Sequence, residues 1–276
     1  MGHKKAKQTS KAFLENASLP THGKTYTVVS HKEVMDHTSK LLAQNNLKII
    51  NQSFRSSHNA RVAQGIYHLS GSGVKTDQDL GMMFAWTNSY DKSTRFQCGI
   101  GANVLVCSNG IIQGDLANYG RKHTGTANAD IALSISSQIS KAKHNFDLLI
   151  DDKDKFKSVE LSIKKQSELL GRLFVEEKLL DTQQMSIVKS EIEEPTYNYG
   201  VDPDTAWMFY NHVTHAFKQT HPRTWMTNQS KFHKFMSSEL LSNLQIQYRD
   251  TTPDPDDIEP VEEILNDDVG PNVFSL

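Results

Sequence analysis

A series of short β-prone runs between Leu47 and Gln113 limits the topologies open to this chain. The segments between them, Ser70–Gly73, Asn88–Lys92 and Ser108–Gly110, are rich in residues that accept positive φ angles or bond their own backbone. Connections this short permit antiparallel pairing and leave no room for crossover helices. The pattern predicts an antiparallel meander with strands at 47–54, 61–69, 80–88, 94–98, 103–107 and 110–113.

Helical patterns lie on both sides of this region. Ser30 and Glu33 form a capping box before a helix predicted over about 31–45. After Thr124, apolar residues recur every three or four positions, which predicts helices at about 128–149, 156–192 and 228–247. The second of these helices is expected to break near Gly171 or Asp181. Asp202 before Pro203 predicts a further helix start. The sequence therefore predicts an α+β fold, in which a curved antiparallel β-meander from the N-terminal half packs with helices from the C-terminal half.

Composition divides the chain into three segments. Residues 1–25 are polar and rich in lysine and contain Pro20 and Gly23, so they read as a basic flexible arm. Residues 26–249 carry the periodic patterns and are predicted to form a single α+β domain. Residues 250–276 combine acidic residues with prolines, which is typical of a disordered tail.

The charge is distributed unevenly between these segments. The formal net charge is −2, but nine of the 32 acidic residues lie in 250–276, which contains no Lys or Arg. Residues 1–249 therefore combine 30 basic with 23 acidic residues, a formal charge of +7. A basic body with an acidic tail is associated with nucleic-acid binding and with tails that compete for the same surface.

The length, the hydrophobic content and the cysteine count of the chain exclude several classes of protein. With 276 residues and 37% hydrophobic content, the chain has enough apolar sequence for a core. Two cysteines give no disulfide framework and favour a reducing compartment, and no apolar run approaches the roughly 18 residues of a membrane span. We therefore expect a cytoplasmic protein that does not enter a membrane.

No metal or cofactor is expected from the sequence. None of the 12 histidines combines with cysteine or carboxylate at zinc-finger or metalloprotease spacing, and His212 and His215 fit a solvated helix rim better than a metal site. Gly99 and Gly101 are followed by strand sequence rather than a helix, which favours close backbone packing over a phosphate loop.

A basic and aromatic cluster is the strongest candidate site. Arg121, Lys122 and His123 lie between the predicted sheet and the first long helix, and Lys92 and Arg95 lie on an earlier turn. Such cations contact phosphates, and the neighbouring Tyr90 and Tyr119 are candidates for stacking on bases.

Several stretches also carry a family resemblance, which extends over roughly residues 19–244. They are Leu19-Pro-Thr-His-Gly-Lys-Thr-Tyr26, Ser30-His-Lys-Glu33, Trp86-Thr-Asn-Ser-Tyr-Asp-Lys-Ser93, Val106-Cys-Ser-Asn-Gly110 and Arg121-Lys-His-Thr124. The chain thereby resembles the phage/plasmid-like family of unknown function found in phages, prophages and conjugative plasmids. This resemblance implies a mobile-element setting, often among genes of DNA metabolism, and no established activity. The tail in turn resembles the acidic C-terminal tails of single-strand DNA-binding proteins, which end near an aromatic residue, as Phe274 stands here.

The function expected from the sequence is non-catalytic binding of single-stranded nucleic acid, DNA rather than RNA, in the cytoplasm of a host cell. The tail would gate this surface or recruit phage or host replication and recombination proteins, and self-association is left open. One alternative is an interaction protein that docks on a host factor. A weaker alternative is a hydrolase that uses Cys107 and His123 as a nucleophile pair, although Cys107 ends an apolar run and fits a buried structural cysteine better.

Overall fold

The computed structural model describes residues 7–21, 28–113, 117–118 and 127–241. One antiparallel sheet has the strand order β1-β2-β3-β4-β5-β6, and β7 also pairs with β5. The strands are β1 (Lys7–Thr9), β2 (Leu47–Ser56), β3 (Val62–Gly71), β4 (Leu80–Ser89), β5 (Gln97–Val104), β6 (Gly110–Ile112) and β7 (Ala117–Asn118). Strands β2 to β6 are neighbours both in sequence and in space, so the predicted meander is confirmed.

Most of the helices follow the sheet in sequence. The helices are α1 (Lys11–Glu15), α2 (His31–Gln44), α3 (Ala127–Ser140), α4 (Ala142–Ser158), α5 (Ile163–Val175), α6 (Thr182–Glu193), α7 (Ala206–Ala216) and α8 (Pro222–Met236). A 3₁₀ turn, Phe217–Gln219, joins α7 to α8, and a π-helix, Ser237–Leu241, extends α8. The α+β class predicted from the sequence is therefore confirmed.

The segment predicted to be a flexible arm contains regular structure in the part that is described. Strand β1 pairs with the end of β2, where Gln8 lies opposite Arg55, and Ser10 caps α1 by accepting a hydrogen bond from the amide of Phe13. The expectation of an arm without elements is wrong for these residues, because the edge of β2 offers backbone partners that a local reading of a lysine-rich stretch does not reveal.

The two strands predicted at 94–98 and 103–107 are one strand followed by a turn. β5 pairs without interruption along β4, from Gln97 opposite Thr87 to Val104 opposite Leu80. The chain then turns, and the amide of Ser108, which has a φ of 57°, donates to the carbonyl of Val104 at 2.7 Å. Cys107 thus lies in a turn rather than in a strand.

Gly101 lies in the middle of β5, and a Cβ atom there would lie 2.1 Å from the carbonyl oxygen of Ile111. The interpretation of a bulge or close backbone packing is thereby confirmed as close packing for Gly101.

Three helix boundaries also differ from the sequence expectation. The helix predicted at 128–149 is interrupted at Lys141, whose φ of −96° and ψ of 2° leave the helical region, and it continues as α4 to Ser158. Helix α7 starts after Thr205 rather than after Asp202, because the backbone at 204–205 is held extended by pairing with Glu160 and Leu161. Helix α8 starts earlier than expected, at Pro222.

The break near Asp181 is confirmed, since this residue caps α6 in a capping box with Gln184. The capping box of Ser30 and Glu33 at the start of α2 is likewise confirmed. Gly171, the other position suggested for a break, lies inside α5.

The two faces of the sheet have different chemistry. Because side chains alternate along strands, the register places Phe54, Trp86 and Cys98 on one face and Arg55, Thr87 and Gln97 on the other. The first face is apolar, and α2 covers it: Asn88 donates to the carbonyl of Val29 just before this helix. The second face carries more polar residues and is covered by α8.

Helix α8 contacts this polar face at several positions along the strands. The hydroxyl of Thr87 donates to the carbonyl of Pro222, and the side chain of Gln97 donates to Thr227. The six-membered ring of Trp225 packs directly over Gly110, where a Cβ atom would lie 2.5 Å away from it. The sheet is therefore enclosed between two helical layers.

Candidate functional site

Two hairpin turns lie side by side at one end of the sheet. In a meander the β2–β3 and β4–β5 connections must emerge at the same end, since each strand reverses the direction of the last. Val62 pairs with Ser89, and the amide of Tyr90 donates to the carbonyl of Arg61 at 2.6 Å, which joins the two turns directly.

Helix α1 and the chain that follows it form a third wall beside these turns. The resulting open groove, which we call the hairpin-tip groove, has a volume of about 1140 Å³. Phe13 of α1 lines it with 44% of its surface exposed, and Leu19 lines it with 54% exposed. His58, Arg61 and Asp91 supply polar groups from the two turns. An exposed aromatic ring next to polar turns is a surface on which a planar ligand can stack.

The charges around the hairpin-tip groove are mainly positive. Arg61 lines the groove, and the β4–β5 turn carries Lys92 and Arg95, all with exposed side chains. Within the ranges that the structure describes, Arg61 and Arg95 form no ion pair with a carboxylate. The one acidic residue of the lining, Asp91, lies 3.8 Å from the guanidinium of Arg223 on α8. Arg61 in the groove and Arg95 on the adjoining turn are thus the cations that have no carboxylate partner in the described ranges and can meet an anionic ligand.

The structure brings together only part of the predicted site. Lys92 and Arg95 are exposed on the same turn, as expected, and Lys92 has a φ of 59° that shapes this turn. Tyr119, Arg121, Lys122 and His123 lie outside the described residues.

Tyr90 is positioned differently from the stacking role predicted for it. Its side chain is only 6% exposed, and its ring lies on the ring of His31 with centroids 3.9 Å apart and an interplanar angle of 9°. Its hydroxyl accepts a hydrogen bond of 2.7 Å from the amide of His31. We correct the prediction accordingly, because a base cannot reach the ring face that His31 covers. Tyr90 connects the β4–β5 turn to the start of α2.

Phe13 and Arg61 are the groove residues that the sequence analysis missed. The lysine-rich composition of residues 1–25 predicts an arm and gives no sign of an exposed Phe13, although Ser10 stands three residues before it at the spacing of an N-cap. Arg61 starts a predicted strand, and nothing in the local pattern shows that its side chain borders a groove.

The structure gives Cys107 the surroundings of a structural cysteine. The residue is 5% exposed, and burial raises the pKa of its thiol, opposed in part by the hydrogen bond from the amide of Asn109. His123, its predicted partner, lies outside the described residues. Burial also raises the pKa of Cys98, which is fully enclosed in the sheet.

His212 and His215 lie on one side of α7 and flank a buried carboxylate. Each has a ring nitrogen 3.8 Å from an oxygen of Glu191, which also accepts a hydrogen bond from the hydroxyl of Thr196. Burial lowers the pKa of His212 to about 4, and Glu191 opposes this shift. In the described parts of the chain, no group of three or more His, Cys, Asp or Glu residues is arranged to hold a metal ion.

Comparison with protein families gives one match, to the family described as Domain of unknown function (DUF932), over residues 18–247. This range covers most of the chain. The chain belongs to this family. The DUF932 match covers the sheet from β2 onward and the helices from α2 to α8. Of the groove, it includes Leu19, Arg61 and the β4–β5 turn, whereas Phe13 lies before the matched range. Neither the curated proteins nor the solved structures provide a match.

The helices of the DUF932 domain were also compared with the requirements of a membrane span. Among the described residues, none of the helices is both long enough and apolar enough to cross a membrane.

Proposed function

We propose that this protein binds single-stranded nucleic acid at the hairpin-tip groove and does so without catalysing a reaction. The observation that supports the proposal is the combination of an exposed aromatic ring, Phe13, with Arg61 and Arg95, which have no carboxylate partner in the described ranges. Proteins that bind single strands combine cations along the backbone with aromatic rings on which bases stack.

The open shape of the groove also supports a single-stranded ligand. Its walls come from α1 and from two hairpin turns, so an extended chain can pass between them. A base on Phe13 would place neighbouring phosphates toward the side where Arg61 lies. Lys92 and Arg95 would then contact the backbone next along the strand.

The setting that we propose is DNA metabolism in a phage or plasmid. The support is the resemblance of the segments from Leu19 to Thr124 to the phage/plasmid-like family, which implies such a setting. Single-stranded DNA is therefore the ligand to test before RNA. Arg121, Lys122, His123 and Tyr119, which lie outside the described residues, remain predicted contacts.

The test is a titration of a fluorescently labelled single-stranded DNA at several salt concentrations. The double variant Arg61→Gln/Arg95→Gln should weaken binding and reduce the slope of log affinity against log salt by about 0.7 for each phosphate contact removed. Phe13→Ala should weaken binding with little change in this slope, because a lost stacking contact of about 1–3 kcal/mol releases no counterions.

The matched control is Lys164→Gln/Lys189→Gln, which removes the same charge from exposed sites on α5 and α6. We expect it to bind nearly as the unmodified protein does. If the groove variant and the control variant lose affinity equally, binding depends on net charge alone, and the assignment of the groove is wrong.

A further inference from the structure

A second cavity lies on the polar face of the sheet, away from the hairpin-tip groove. This inner cavity has a volume of about 320 Å³, is partly open to solvent, and is bounded by strands β1 to β6 on one side and by α7, the 3₁₀ turn and α8 on the other. None of its lining residues belongs to the groove. A volume near 300 Å³ is at the lower end of the range for sites that bind small molecules.

Of the residues that the structure describes, two cations and no carboxylate line the inner cavity. Arg55 reaches it from β2 and Lys218 from the 3₁₀ turn. Each is held by a neutral carbonyl group: Arg55 Nη2 donates to Thr220 at 2.6 Å, and Lys218 Nζ donates to Cys107 at 2.6 Å. Among the described residues neither side chain forms an ion pair with a carboxylate, although Lys218 Nζ also lies 5.1 Å from the ring centroid of Tyr197, and burial lowers the pKa of both cations.

Glu191 is the acidic residue that influences Lys218 most. It does not line the cavity, and its carboxylate is already occupied by Thr196 and lies beside His212 and His215. The positive charge that faces the cavity is therefore available to a ligand.

The cavity also contains a buried acceptor without a donor. Asn103 is 5% exposed, and its side-chain oxygen has no hydrogen-bond partner among the described residues. An unpaired buried acceptor is uncommon in folded proteins. His68 lies next to Asn103: burial lowers the pKa of this histidine, and its interaction with the Asn103 side chain opposes the shift, but the two side chains do not reach the geometry of a full hydrogen bond. A ligand with an N–H or O–H group would satisfy the amide oxygen.

The remaining walls are suited to the organic part of a ligand. Ile66 and Met83 lie on the same sheet face as the polar groups, and the indole of Trp225 faces them from α8. Trp225 is 4% exposed and is fixed against Gly110, so this wall is preformed rather than assembled on binding.

We propose that the inner cavity binds a small phosphate monoester that carries a ring with a hydrogen-bond donor, of the size of a nucleoside 5′-monophosphate. Arg55 and Lys218 hold the phosphate, since two cations match its double negative charge. Asn103 accepts a hydrogen bond from the ring, and Trp225 packs against it. This site is separate from the single-strand groove and does not depend on it.

The experiment is isothermal titration of the full chain with thymidine 5′-monophosphate, inorganic phosphate and thymidine. We expect the monophosphate to bind most tightly, inorganic phosphate more weakly and thymidine weakest, because only the first engages both the cations and the apolar wall. Lys218→Gln and Arg55→Gln should each weaken binding of the monophosphate about tenfold or more, as expected for the loss of a charged hydrogen bond.

The groove variant Arg61→Gln/Arg95→Gln is the control and should bind the monophosphate as the unmodified protein does. Conversely, Lys218→Gln should leave binding of single-stranded DNA unchanged, so that the two proposals succeed or fail separately. If Arg55→Gln does not fold, Lys218→Gln tests the same site without a change in the sheet.

The proposal is overturned if the unmodified protein binds neither phosphate compound at millimolar concentration. It is also overturned if the folded cavity variants bind the monophosphate as tightly as the unmodified protein. Equal affinity for inorganic phosphate and the monophosphate would contradict the part of the proposal that concerns the ring.

Discussion

Gly65 and Gly171 show how the same residue type can have opposite effects at two positions. Gly65 lies on β3 beneath the indole of Trp86, and a Cβ atom there would lie 2.5 Å from two atoms of that ring. Gly171 lies inside α5 and has no heavy atom within 4 Å of the position where a Cβ would stand. The first glycine is required by packing, and the second is not.

Gly65→Ala should therefore destabilise the protein by about 1–3 kcal/mol, because Trp86 is fully buried and has no room to move. Gly171→Ala should stabilise it by about 0.5–1 kcal/mol, since alanine restricts the unfolded chain and favours the helix. Urea unfolding of the two variants measures both effects. A stable Gly65→Ala protein would show that the indole is less tightly held than this packing indicates.

His31 is a buried residue whose protonation should affect stability. Its Nε2 donates to the carbonyl of Ala60 at 2.7 Å, and its Nδ1 accepts from the amide of Asn88 at 3.1 Å, so the ring is neutral. Burial lowers its pKa from 6.5 to about 4, and the hydrogen bond to Ala60 opposes this shift.

The pH dependence follows from this shift. Because the unfolded chain binds a proton to His31 at a higher pH than the folded protein, its contribution to stability is complete above pH 6.5 and is lost as the pH falls toward about 4. The free energy of unfolding in urea should therefore decrease between about pH 7 and pH 5. The His31→Gln variant should show a smaller decrease in the free energy of unfolding over the same pH range. Part of the decrease that remains comes from His212, whose pKa is also about 4. His144→Gln, which changes an exposed histidine, should leave the pH dependence as it is.

Between elements, a buried ion pair joins the β3–β4 connection to α4. Lys153 Nζ lies 2.6 Å from a carboxylate oxygen of Asp77 and 3.3 Å from one of Asp79. Burial alone would raise the pKa of Asp77, but the hydrogen bond from Lys153 and those from the amides of Asp79 and Leu80 outweigh it and lower the pKa. This pair fixes the helical half of the molecule to the sheet.

Asp77→Asn should destabilise the protein by about 1.5–3 kcal/mol, because the largely buried ammonium of Lys153 loses its closest partner but keeps Asp154 at 3.0 Å and Asp79 at 3.3 Å. The matched variant is Asp151→Asn, which removes the exposed partner of Lys75 at 3.9 Å and should cost less than about 1 kcal/mol. Thermal or urea unfolding compares the two. Equal losses would mean that the buried pair contributes no more than a surface pair.

At the scale of the whole molecule, the separation of charge along the chain has a functional consequence. Residues 250–276 carry nine acidic residues, and residues 1–249 have a formal charge of +7. The sequence predicts a flexible, proline-broken tail, which would act on the basic surface at an effective concentration on the order of millimolar. We propose that this tail competes with nucleic acid for the groove.

Deletion of 250–276 should then tighten binding of single-stranded DNA, most strongly at low salt, where charges are screened least. The thermal transition should change little, because 250–276 contains no apolar helical stripe and lies beyond the family match, which ends at residue 247. If the truncated protein binds no more tightly at low salt, the tail does not occlude the groove. A role in recruiting a protein partner would then be the better interpretation.

The meander, the α+β class and most helices were predictable because they depend on residues close together in sequence. Turn residues at short intervals require antiparallel strands, and the residues Ile131, Ile135 and Ile139, which recur every four positions, are buried on α3 as the periodicity indicates. The capping box of Ser30 likewise depends only on Glu33, three residues away.

The sites depended on contacts that no local pattern contains. Tyr90 is buried because His31 comes to lie on it from 59 residues away, and Arg55 faces the inner cavity because Thr220, 165 residues away, holds its guanidinium. Phe13 lines a groove because β1 pairs with the far end of β2. The sequence by itself determined which segments form strands and helices, since those choices follow from local periodicity. Only the tertiary structure decided which aromatic and basic side chains remain exposed and which are enclosed, because burial is set by the packing of segments distant along the chain.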